Sequence, residues 1–138
     1  MSQHITMSIA PYVDLPRKRS KPKRVYLSQN VIKNLHWAVY NDVKKAVAEQ
    51  VREQLGALPQ FEGLSAPVQV ECILYASGER EQDLDNCSFV VKATMDAVVH
   101  LGYLRDDNVK YVKRVVYSYG GVDKANPRYT IQVTSLAL

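Results

Sequence analysis

No stretch of about 18 consecutive apolar residues occurs in this chain of 138 residues, which argues against a membrane-spanning helix. The opening "MSQHITMSIAPYVDL" has neither the charged start nor the extended apolar stretch of a secretory leader, so the expected compartment is the cytoplasm. Cysteine is scarce. Cys72 and Cys87 are the only two, which suits a reducing compartment, and they show no metal-ligand spacing, so both read as structural. His4, His36 and His100 lie too far apart in sequence to form a metal motif. No glycine-rich phosphate loop, internal repeat or low-complexity tract is present, and no organic cofactor is expected. With 46% hydrophobic residues, the chain can build the core of one domain spanning 1–138.

Basic charge stands out among what is there. The net charge of +4 and pI near 9.1 are modest, but "RKRSKPKR" places six basic residues in eight positions. Pro16 and Pro22 oppose regular structure and like charges repel, so about 16–24 reads as a basic loop. Arg17, Lys18, Arg19, Lys21, Lys23 and Arg24 are the candidate phosphate contacts for DNA. Taken alone, such a run is more often a solvated, nonspecific loop.

Periodicity orders the rest. "ITMSIAPYV" and Arg24 to Leu27 read as short strands. Beyond Ser28, apolar Ile32, Leu35, Val39, Val43, Val47, Val51 and Leu55 recur every three or four residues, which predicts one helix stopped by Gly56 and Pro59. "VQVECILY" alternates as a strand, with Val68, Val70, Cys72 and Leu74 on one side. A second helix runs to Leu101, capped by Asn86 or Asp85 and stopped by Gly102, with Val90, Thr94, Ala97, Val98 and Leu101 inward. Strands over about Val109 to Tyr119 and Arg128 to Thr134 follow, joined across "GGVDKANP". Trp37 and the tyrosines read as sheet and core aromatics. The alternation predicts a mixed α/β or α+β domain, a small mixed sheet covered by two helices.

The acidic residues concentrate between Glu81 and Val112. In an extended Asp83–Leu84–Asp85 segment both carboxylates face out while Leu84 points in. At about 100° per residue, Asp85, Lys92 and Asp96 fall in one polar arc of the second helix, and Asp106 and Asp107 follow its stop. Clustered carboxylates repel unless a cation offsets them, and hard oxygen donors favour Mg2+, with Mn2+ as a substitute. Such an ion makes hydroxide available for attack on a phosphodiester, and Lys92 offsets charge developing on the phosphate. Singly, each piece has a blander reading: Asp85 and Asn86 as caps, Lys92 with Asp96 as an (i, i+4) pair, and Asp106–Asp107 as a self-solvating loop.

"DLDN", a helical lysine, "MDAVVHLGYLRDD" and the following "NVKYV" together resemble the RusA family of Holliday-junction resolvases, often prophage-encoded. The resemblance covers Asp83 to Val112 well and the preceding helix and strand only by pattern. It implies catalytic, Mg2+-binding aspartates at Asp83, Asp85 and Asp107, an essential lysine at Lys92, and supporting roles for Asn86 and Asp106. It also implies a homodimer that cuts four-way or other branched DNA by paired nicks. Lys92 stands six residues after Asn86, where the compact family pattern has three, so nearly one extra helical turn intervenes. Gln82 replaces the basic residue that often precedes the first aspartate. Two alternatives stay open: a non-catalytic DNA-binding recombination-accessory protein, and a small phosphotransferase using Asp-x-Asp, which the polar lead-in "GEREQ" disfavours.

Overall fold

The structure is a computed structural model that describes residues 3–57, 63–80 and 82–136. Strand β1 (His4–Ile9) is followed by a hairpin of β2 (Tyr12–Leu15) and β3 (Lys23–Tyr26), then α1 (Gln29–Ile32), α2 (Trp37–Leu55) and β4 (Val68–Ala76). A 3-10 turn (Leu84–Cys87) leads into α3 (Ser88–His100), β5 (Val112–Val122) and β6 (Arg128–Ser135). The main sheet has the order β1-β6-β4-β5, with β4 and β5 parallel and the other pairs antiparallel. A parallel pair needs a long crossover, and α3 supplies it. The architecture is the expected mixed α+β fold.

Alternation decides which face is covered. Along β4, Val68, Val70, Cys72, Leu74 and Ala76 are buried while the intervening residues are half-buried. Met7 and Ile9 of β1 and Ile131 and Val133 of β6 join the same core, opposite Val43, Val47 and Val51 of α2 and Val90 and Val98 of α3. Each such fully buried aliphatic side chain contributes about 1.5–3 kcal/mol. The predicted inward stripe of the second helix, Val90, Thr94, Ala97, Val98 and Leu101, is buried throughout.

Several expectations are corrected. The first helix is two helices: Ser28 caps α1 by accepting from the Asn30 N–H, and His36 leaves helical geometry (φ −60°, ψ 144°) to cap α2 through Ala38 N–H. Side-chain acceptors at both starts satisfy otherwise orphaned donors, so the apolar period runs on while the backbone breaks. "ITMSIAPYV" likewise divides at Ala10–Pro11 into β1 and β2. Neither Asp85 nor Asn86 caps α3; both lie in the 3-10 turn before it. Trp37 is 71% exposed, its ring beside His36, so it is not a core aromatic. The stops hold at Gly56 and Gly102, both with positive φ that suits glycine; Pro59 lies outside the described residues. Among the described residues no helix is long and apolar enough to cross a membrane.

Candidate active site and basic hairpin

Asp107 and Lys92 meet because the loop after α3 is pinned at several points. Gly102 turns the chain, Tyr103 donates its hydroxyl to the Leu55 carbonyl at 2.6 Å, and the Tyr103 carbonyl accepts from Leu64 N–H at 2.9 Å. Asp106 then accepts from Asp107 N–H at 2.7 Å and from the Asn108 side chain at 3.1 Å, while the Asn108 carbonyl accepts from Tyr111 and Val112. The Asp106 carboxylate is thus engaged in shaping the turn. That turn presents Asp107 to Lys92 Nζ at 3.0 Å, across 15 positions of sequence.

Lys92 is also 3.1 Å from Asp96, and Asp96 is 2.8 Å from Lys44 of α2. The result is an alternating chain of charges, Lys44, Asp96, Lys92 and Asp107, spanning α2, α3 and the loop. Hydrogen bonding to Asp107 and then to Asp96 holds the Lys92 ammonium above its usual pKa range. Burial pushes Asp96 up, but Lys44 and then Lys92 outweigh it, and its carboxyl lies below the usual range. Lys92 therefore stays charged at neutral pH.

Asp83 and Asp85 stand at the foot of α3. Asp83 is extended (φ −88°, ψ 132°) and precedes the 3-10 turn, with Leu84 packed against the core as expected. Both aspartates are exposed, and among the described residues neither side chain makes a hydrogen bond or ion pair. The turn ends in buried Cys87, and buried Cys72 of β4 is its neighbour; the influence of Cys87, then burial, pushes the Cys72 thiol up. Ser88 ties the start of α3 to Gln29 of α1 at 3.3 Å. Asn86 donates its backbone N–H to the Asp83 carbonyl at 3.1 Å.

A hollow of about 270 Å³ lies between α3 and β5, with Ser88, Lys92, Asp107, Val115 and Tyr117 in its wall. Burial raises the Tyr117 pKa, and the nearby Asp85 carboxylate adds to this. Sequence reasoning singled out Lys92 and Asp107 but missed Ser88 as a wall residue and Lys44 as the partner of Asp96. A larger groove, about 560 Å³ between α2 and α3, contains Asp96 but none of Asp83, Asp85, Lys92 or Asp107.

The structure does not gather the expected aspartates into one cluster. Among the described residues no group of three His, Cys, Asp or Glu stands close enough to hold a metal ion; Asp107 faces Lys92 instead. The donor chemistry nevertheless suits Mg2+, which uses one or two carboxylates together with water and substrate phosphate oxygens. Asp83 and Asp85 are two such carboxylates, without a hydrogen-bond partner among the described residues.

The basic segment divides into two kinds. Arg17, Lys18, Arg19 and Lys21 are exposed in the loop between β2 and β3, without an ion pair among the described residues. Lys23 and Arg24 belong to β3, where Lys23 is half-buried and Arg24 holds Asp14 at 3.0 Å and lies 3.8 Å from the Tyr12 ring centroid. No protein-family model matches this chain, and no curated protein matches it.

Proposed function

We propose that this chain is a Mg2+-dependent, structure-selective endodeoxyribonuclease of the cytoplasm that resolves four-way DNA junctions by paired symmetric nicks in recombination and repair. The observation that carries the reading is the contact between Lys92 and Asp107, with Asp83 and Asp85, unbonded among the described residues, at the foot of the same helix. These are the four positions for which the resemblance to RusA-type resolvases implies catalysis.

Asp83 and Asp85, with Asp107 as a third donor, are the residues that would hold Mg2+. When bound, the ion supplies Lewis-acid polarisation of the phosphoryl group and a water that ionises near neutral pH. Lys92 offers a permanent cation to the scissile phosphate. A phosphate oxygen approaching Lys92 competes with Asp107 for the same ammonium, and so frees the Asp107 carboxylate as DNA arrives. The basic loop supplies phosphate affinity independent of sequence.

One observation favours the non-catalytic reading, an accessory protein that binds branched DNA: Asp107 is already neutralised by Lys92. Synthetic four-way, flap and duplex DNA, incubated with and without Mg2+, separate the two. The expected result is Mg2+-dependent paired nicking of the junction, abolished by Asp83→Asn, Asp85→Asn, Asp107→Asn and Lys92→Ala while the aspartate variants keep junction binding. Near-normal cleavage by Asp85→Asn would refute the assignment of the site.

A further inference from the structure

The two-stranded sheet has one face that the core does not use. Across the β2–β3 ladder Tyr12 stands opposite Tyr26 and Asp14 opposite Arg24, while Val13 stands opposite Val25. The period of two sends both valines into the core and leaves Tyr12, Asp14, Arg24 and Tyr26 on the outer face. Tyr26 is 52% exposed, its ring meeting that of Tyr12 edge to face with centroids 5.5 Å apart. The Arg24 guanidinium lies 3.8 Å from the centroid of the Tyr12 ring, and it donates to Asp14 through Nε at 3.0 Å and Nη2 at 3.3 Å. Two bonds and one ring fix the plane of that guanidinium, so the face is preorganised.

A face of this kind suits an unpaired base. Within a duplex a base shows only its edges in the grooves, whereas an unstacked base has a free π-face that an aromatic ring can cover. Tyr26 offers such a ring, already braced by Tyr12, and a tyrosine gives up little rotamer freedom when a ligand settles on it. Charge complementarity names the occupant. Between β2 and β3 the same hairpin carries Arg17, Lys18, Arg19 and Lys21, exposed and without an ion pair among the described residues, a cationic tip for the backbone of a polyanion. Lys23–Tyr26 spans about 10 Å at the rise of a strand, so a strand of a few nucleotides can touch both the ring and the tip.

We propose that the outer face of the β2–β3 hairpin is a base-stacking platform for an unpaired DNA strand, with Tyr26 as the stacking residue. The proposal rests on the reading of this chain as a DNA-binding protein and deepens it. The loop cations hold phosphate on any strand, paired or not, and carry no preference for structure. Tyr26 supplies the preference, because only a strand whose bases are free can lay one on the ring. Arg24, neutralised by Asp14, adds no net charge and holds the Tyr12 ring against which Tyr26 is braced.

Fluorescence anisotropy without metal tests this, with a labelled oligothymidine of about 15 nucleotides and a blunt duplex of the same length. The proteins are the wild type, Tyr26→Ala, Tyr26→Leu and Tyr26→Phe, each checked for folding by circular dichroism; Tyr26 is more than half exposed, so the fold should survive. Tyr26→Ala should raise the dissociation constant for the unpaired strand about tenfold, about 1.4 kcal/mol, and leave that for duplex within about twofold. Its salt dependence should not change, since no charge is removed. Tyr26→Leu, which keeps apolar bulk without a π-face, should match alanine, and Tyr26→Phe should stay within about twofold of the wild type. Unchanged affinity of Tyr26→Ala or Tyr26→Leu for the unpaired strand, an equal loss on duplex, or a poly-glutamate peptide losing affinity by the same factor would each overturn the proposal. Any of these with Mg2+-dependent cleavage intact would remove the platform and leave the proposed function, whereas the expected losses in a protein without nuclease activity would do the reverse.

Discussion

Replacing Arg17, Lys18, Arg19 and Lys21 together by alanine tests whether the hairpin loop grips DNA. These four side chains are exposed and unpaired among the described residues, whereas Lys23 is half-buried and Arg24 is bound to Asp14 and Tyr12. The hairpin is held by buried Val13 and Val25 and by the β2–β3 ladder, which the substitutions do not touch. Folding and thermal stability should therefore be unchanged. On duplex arms each neutralised phosphate contributes about 0.9 to the log–log dependence of affinity on salt, so four contacts account for a slope of about 3.6. Between 50 and 200 mM salt, that slope corresponds to about a 150-fold loss of affinity that the wild type would show and the variant would not. The assay is junction binding by fluorescence anisotropy over a salt series without metal. A slope equal to the wild type's, in a folded variant, would show that the loop carries no phosphate contact and that its charge serves the free surface alone.

Two further outcomes follow from groups inside the fold. Thr94 is fully buried and its hydroxyl has no hydrogen-bond partner among the described residues, so Thr94→Val, which keeps the shape, should stabilise the protein by about 1–2 kcal/mol in urea denaturation. A loss of stability would mean that the hydroxyl is satisfied. Asp96 has a depressed pKa when folded, so its contribution is present above the ordinary carboxylate pKa and is lost as pH falls through the folded value. With about a third of the side chain exposed, solvent screening limits this to about 0.5–1 kcal/mol. Asp96→Asn should be less stable than wild type near neutrality, and the gap should close on acidification; a gap independent of pH would count against the charge chain.

The sequence alone determined those features that local period and punctuation control. Strand β4 was legible because Val68, Val70, Cys72 and Leu74 alternate with more polar neighbours, and the inward face of α3 because its apolar residues repeat at the helical period. The stops at Gly56 and Gly102 were legible because left-handed backbone favours glycine. The pairing of Lys92 with Asp96 was legible too, being one helical turn apart. Tertiary structure decided the rest. An unbroken apolar stripe concealed the break at His36, since the core accepts the same side chains from two helices as from one. The tie of Asp107 to Lys92, and not to Asp83 and Asp85, depends on Tyr103 reaching Leu55 and on the turn that Asp106 builds. Strand order left β5 at one edge of the main sheet, while Gln50 and Gln54 of α2 bind the backbone of Ala10 and Ser8 beside the other. Contacts between residues so far apart in sequence leave no local period, because the free energy that selects them comes from packing the whole sheet against α2 and α3.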